Sequence, residues 1–498
     1  MNRFDVFPPV NTIPSTDNSS AISYENVPLF DPARPRFPHP QRLRHLAVLF
    51  FENIASHFPF LERYDILHRI EKRTCSAILS NCIAALAARY ANPAHLDVAA
   101  GAPFYDMAKT LAPNAISLPS VDALHALICI TWVEYGAGHN NEFWMYSRMA
   151  IAMCLDLGLG NEVTIRVAAT PEVRSRLRLT WWTVVCTADI AASWAFGRTA
   201  TIDLSQFDTA LPQATDDVSI IFRNTTELFV LRARLTRVLD AHVENQGESS
   251  LDWDLSELQA DLKNMSKGLP SALVFSEENV RCLQKRGIGH LLVHMHLLIN
   301  ALSALVNRPS ILPSYIITVP TRGPRAETAR TCAKTIVDIL ILASNIMPHA
   351  LHSPFMDLPV LVASRTFLAE SGTQPCVAMT MSPRSNQLAS KWSDTSLNMC
   401  KDALVQLSST WGGGASFDSV LEKHGGTLDD VPSASCGGAS FNGILENHRS
   451  ILDDIPSSSS KFSLLYSTSW GKQFMPTSQR SIYLPPPTAI TTGSFIRP

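Results

Sequence analysis

Apolar residues spaced three and four apart constrain this chain more than any other feature. Leu43, Leu46, Ala47, Phe50, Phe51, Ile54, Ala55 and Phe58 form one such stripe, which predicts an amphipathic helix stopped by Pro59. Cys75–Tyr90 is apolar on most faces, as in a helix packed on several sides. Ser120 can cap a helix that turns Val121, Leu124, Leu127, Ile128, Trp132 and Tyr135 inward and ends at Gly136 and Gly138. After a turn at His139 and Asn140, a second helix runs to Gly158 and Gly160, so the two predict an antiparallel αα-hairpin. Thr170 and Pro171 supply an N-cap and a first-turn proline for a helix through Trp181 and Trp182 to Gly197. Further helical runs cover 225–242, 255–265, 279–306, 326–346 and 391–409. Period-two alternation is scarce. The expectation is an all-α fold, a multi-helix antiparallel bundle of αα-hairpins with a disordered N-terminal leader and C-terminal tail.

Residues 1–41 are rich in proline, with Asn, Ser and Thr between, and cannot bury enough apolar surface to offset their ordering entropy. A flexible leader is expected there, and a helical body over 42–410. Residues 411–498 form a Gly, Ser and Pro tail containing a 24-residue tandem repeat, in which 413–435 recurs as 437–459. Each copy places an aromatic and two aliphatics at i, i+3 and i+4: Phe417, Val420 and Leu421, then Phe441, Ile444 and Leu445. An Asp-Asp pair follows in each, and 413–459 carries a net of −5 against −3 for the whole chain. That composition suits short docking helices for a partner, although a duplicated low-complexity tail is the favoured reading. Two copies are too few for a solenoid.

The near-zero charge balance, 41 Lys and Arg against 44 Asp and Glu, gives no whole-chain positive field for a phosphate backbone. Ten cysteines lie mostly inside apolar runs without C-x-x-C spacing, which reads as reduced, buried thiol in an intracellular protein. Early prolines break any secretory h-region. The uncharged run 287–307 has spanning length, but His290, His294, His296, Asn300 and Ser303 fit a buried soluble helix better than a bilayer; no membrane partner is expected.

Constellations for catalysis are missing: no G-x-S-x-G, H-E-x-x-H, P-loop or G-x-G-x-x-G after a strand. The expectation is therefore no enzyme, with no catalytic or cofactor-binding residue. His290, His294 and His296 are the best metal candidates, yet only the first two share a helical face and no carboxylate lies near in sequence, so they read as core or interface histidines and no metal site is expected. His424 and His448 with their Asp pairs lie in a flexible tail that offers no rigid ligand shell. Arg174, Arg176 and Arg178 precede Trp181 and Trp182; helical spacing puts the arginines on a solvated edge and Leu177, Trp181 and Val184 in the core.

The order of these segments resembles the middle homology region of fungal zinc-cluster transcription factors, the xylanolytic-activator type of regulatory domain. The stretches that carry it are FFENIASHFPFLERYDIL, SAILSNCIAALAARY, the hairpin sequence, RSRLRLTWWTVVCTADIAASWAFGRTATI and HLLVHMHLLINALSALVNRP. They cover about 42–310, with weaker extension to about 410. The most specific signature is Trp181, Trp182, Asp189, Gly197 and Arg198, a structural set; Ile190 and Thr199 stand where the family usually has Arg and Pro.

The resemblance implies a nuclear regulator of RNA polymerase II genes, gated by a metabolite or partner. Its zinc cluster is absent from this sequence, since no cysteine precedes Cys75, and no zinc-binding or DNA-contacting residue carries over. DNA binding is then expected through a missing N-terminal module or a dimer partner. The readings are a gene model short of an upstream exon, a genuine loss giving an accessory or dominant-negative partner of a zinc-cluster factor, or binding by a partner. Transcription coactivators and a small-molecule effector are the other implied partners. A helical scaffold that binds proteins only is the alternative.

Overall fold

The computed structural model describes residues 27–91, 98–186, 201–213, 216–244, 251–311, 323–353, 356–371, 395–407 and 411. Helices dominate them, and strand is confined to one short antiparallel pair, β1 (Phe30–Asp31) and β2 (Arg34–Pro38). That hairpin lies inside the stretch expected to be flexible. Asp31 and Pro38 are buried, His39 N–H donates to the Leu29 carbonyl, and Arg73 reaches the Asp31 carboxylate at 3.7 Å, so the last part of the leader is tied to the body.

The N-terminal half builds on α1 (Pro40–Asn53), α2 (Arg63–Glu71), α3 (Ala77–Ala88), α4 (Ala102–Ser117), α5 (Val121–Gly136) and α6 (Asn140–Asp156). Every residue from Ile78 to Ala88 is buried, because α1, α4 and α5 all pack on α3. The stripe Leu43–Phe58 does not form one helix: α1 ends at Asn53, and a 3-10 turn over Ala55–His57 re-aims the chain while Ile54, Ala55 and Phe58 stay in the core. Phe58 precedes Pro59, and a residue before proline is biased away from α geometry. Helices α5 and α6 form the expected hairpin, with the Ser120 hydroxyl accepting from Ala123 N–H at 3.2 Å.

Next come α7 (Glu162–Arg166) and α8 (Pro171–Thr183), the latter capped by Thr170 as the sequence predicts. The second half comprises α9 (Asp217–Glu244), α10 (Leu251–Lys267), α11 (Glu277–Lys285), α12 (Gly289–Asn307), α13 (Pro324–Ile346) and α14 (Asp357–Ser371), followed by a helical segment over 395–407. The run 279–306 is two helices. Gly287 adopts φ +76°, the left-handed geometry that ends a helix, and α12 starts afresh two residues later. Helix α12 is long and apolar enough to cross a membrane, yet most of it is buried against α9, α10, α11, α13 and α14.

One continuous apolar cluster extends from Leu43 to Trp411. Trp411 is its C-terminal rivet: the indole N–H donates to the His352 carbonyl at 2.6 Å, and the Arg89 guanidinium sits 3.9 Å from the ring centre. Gly136 makes room for it, since a Cβ there would lie 1.9 Å from Trp411 Cε3.

Candidate functional site

Helix α9 presents Val218, Ile221, Phe222, Thr225, Phe229 and Arg232 at helical spacing to a cavity of about 110 Å³. Facing it are His57 from the 3-10 turn, Trp132 and Tyr135 from α5, Thr183 at the end of α8 and Cys186 just beyond it, His294 and Leu298 from α12, and Asp357 at the start of α14. The walls are mainly apolar. Polar groups concentrate at two places.

At one, Tyr135, Arg232 and Asp357 converge. The Tyr135 hydroxyl donates to Asp357 Oδ2, and Leu358 N–H donates to Oδ1 at 2.6 Å. Burial pushes the Asp357 carboxyl up to about 6, although Tyr135 and Arg232 oppose the shift. The same burial pulls Arg232 down to about 9, against the attraction of Tyr135 and Asp357. Arg232 is 3% exposed and its guanidinium lies 5.9 Å from the Phe229 ring centre.

At the other, His57 stacks on His294 with ring centres 5.3 Å apart and lies 5.1 Å from the Trp132 ring. Desolvation holds His57 well below the ordinary histidine range, and His294 and His290 add to it, so the ring is neutral near pH 7. His290 Nε2 and the Ser56 hydroxyl share a hydrogen bond of 2.5 Å, and His294 Nε2 donates to the Ala350 carbonyl at 2.8 Å. His296 points elsewhere, donating to the Leu273 carbonyl at 2.8 Å. The histidines that meet are thus 57, 290 and 294, a grouping sequence spacing does not give. Among the described residues no group of three His, Cys, Asp or Glu is disposed to hold a metal ion.

Of the family signature, Trp181 and Trp182 are buried. Trp181 packs 5.0 Å from the Phe207 ring, and Trp182 Nε1 donates to the Ala210 carbonyl at 2.9 Å. Neither lines the cavity. Asp189, Gly197 and Arg198 lie outside the described residues, as do Phe417, Val420, Leu421, Phe441, Ile444 and Leu445. The arginines before the tryptophans are not a freely solvated edge: Arg178 is half-buried on Glu162, and Arg176 reaches Asp65 at 2.8 Å. Glu162 also accepts from Ala210 N–H at 3.1 Å, and Arg178 above all drives its carboxyl down to about 2. Arg176 and Arg178 therefore tie α8 to neighbouring segments.

Sequence reasoning missed His57, Arg232 and Asp357. Arg232 had a signal: it falls three and four residues from Phe229 and Leu228 and three before Leu235, all buried, so it is a cation on an apolar stripe. His57 and Asp357 had none, because only the tertiary fold brings them together.

Residues 48–238 match the family described as the fungal specific transcription factor domain. The chain is thus similar to that family over less than half of its length. It is also similar to the nitrogen assimilation transcription factor nirA of Emericella nidulans, 28% identical over 158 residues that cover 28% of this chain. The match spans 17% of that relative's length. Family and relative are transcription factors. The matched domain contributes His57, Trp132, Tyr135, Phe229 and Arg232 to the cavity, while His294, Leu298 and Asp357 come from helices beyond it.

Proposed function

We propose that this chain belongs to a nuclear regulator of RNA polymerase II transcription, and that its helical body is a regulatory unit rather than a catalytic one. The observation that carries this reading is the match of residues 48–238 to the fungal specific transcription factor domain. The similarity to a nitrogen assimilation transcription factor supports it. The cavity supports a sensing role, because an apolar space with a few convergent polar groups is the ordinary form of a small-molecule site, and here it lies where the matched domain meets later helices. A guest there contacts both parts at once and so can bias their packing.

The repeated Phe417, Val420, Leu421 and Phe441, Ile444, Leu445 motifs are read as docking segments for a transcription coactivator. DNA enters through a zinc-cluster module or a dimer partner. The test is a reporter assay in a fungal cell, with the full chain fused to a heterologous DNA-binding module, alongside fluorescence localisation of the unfused chain. Nuclear signal and a reporter level different from that of the module alone are expected. A cytoplasmic chain that leaves the reporter unchanged would refute the proposal.

A further inference from the structure

Resting on that regulatory reading, the geometry points to the chemical class of the effector: a small apolar monocarboxylate, its carboxylate on Arg232 and its hydrocarbon body against Phe222, Phe229 and Leu298. Three observations converge on it.

The first is size. A dry apolar cavity of about 150 Å³ accepts benzene, and this one measures about 110 Å³ with room beyond its mouth. Pro59, Val218 and Phe222 line both the cavity and a cleft of about 400 Å³ that reaches Gln213, Asp216 and Arg286. A single ring or a short branched chain is accommodated across the cavity and the mouth it shares with the cleft, which is its route from solvent.

The second is charge. Arg232 is the one guanidinium among the described residues lining the cavity, and its planar fork of N–H donors matches a carboxylate. His57, held neutral by burial, offers no competing cation.

The third is the local competitor. Both Asp357 oxygens already accept, one from Tyr135 and one from Leu358 N–H, so that carboxylate is fixed in place. A dianion beside it would meet more repulsion than one guanidinium offsets, whereas a monoanion can be accommodated. Asp357 then sets affinity by repelling the guest.

The test is isothermal titration of the full chain with benzoate and with benzamide, its neutral counterpart of equal size. Benzoate is expected to bind at least about tenfold more tightly than benzamide, the discrimination expected of one charge-assisted pair. Arg232→Met should erase that preference. Asp357→Asn should tighten benzoate by roughly three- to tenfold through lost repulsion and should not tighten benzamide. Leu298→Trp, which fills the space while keeping both charges, should abolish binding of either; it decides the matter if Arg232→Met fails to fold. Equal affinities for the two probes, no binding of benzoate, or benzoate binding that survives Leu298→Trp would overturn the inference. Those failures with an active reporter fusion remove the ligand class alone. Benzoate binding with an inert reporter removes the transcriptional reading alone.

Discussion

Replacing Gly136 with alanine tests how Trp411 is held. The added Cβ would lie 1.9, 2.4 and 2.8 Å from Trp411 Cε3, Cδ2 and Cζ3, all rigid atoms of a fused ring. Either α5 shifts by more than an ångström in a close-packed core or the indole leaves. Leaving is the cheaper escape, so the penalty cannot exceed the docking energy of Trp411. Truncating a buried tryptophan costs about 3–5 kcal/mol, and removing a glycine from a helix returns up to about 1 kcal/mol. Gly136→Ala should therefore cost about 2–4 kcal/mol, Trp411→Ala about 3–5 kcal/mol, and the pair no more than Trp411→Ala alone. Urea denaturation of the full chain and the three variants, followed by far-ultraviolet circular dichroism, measures the cycle. Additive losses, or a silent Gly136→Ala, would show that Trp411 does not occupy this seat.

Two further outcomes follow from buried charge. His125 is buried between Phe60, whose ring stacks 4.3 Å away, and Thr180, whose hydroxyl accepts from Nε2 at 2.9 Å while donating to the Arg176 carbonyl. Burial lowers its pKa from 6.5 to about 3, so the unfolded chain takes up a proton that the folded one refuses. Its contribution is full above pH 6.5 and falls with pH, by about 2 kcal/mol between pH 7 and 5; His125→Gln, which keeps a donor to Thr180, should flatten the wild-type slope by that amount in urea titrations at the two values. Glu162→Gln should cost on the order of 2–3 kcal/mol at pH 7, by leaving half-buried Arg178 without its carboxylate. Because the Glu162 pKa is depressed, the gap between variant and wild type should close as pH falls from 4.5 towards 2, and an equal gap at pH 3 and 7 would count against the pair.

Helices were legible wherever a local rule sufficed. Ser120 and Thr170 cap where a hydroxyl precedes an apolar stripe, and Trp181 and Trp182 are buried where the spacing puts them. Gly287 splits 279–306 by a backbone preference that an unbroken apolar reading overrides. The leader's hairpin was hidden because its order comes from contacts such as Arg73 with Asp31, distant in sequence. The cavity was less legible still. Its walls come from five helices and a 3-10 turn, and only Arg232 betrays itself, as a cation in an apolar row.

Tyr135 and Gly136 are consecutive, yet they serve different masters. The phenol holds the acid at the inner chamber, and the missing side chain next to it receives the tryptophan from which residues 412–498 depart. Any coupling between a guest that moves the final turn of α5 and the grip on that tryptophan runs both ways by the same factor. Trp411→Ala is expected to change benzoate affinity as much as benzoate changes the ease of undocking, and an unchanged affinity would separate the chamber from the seat of Trp411.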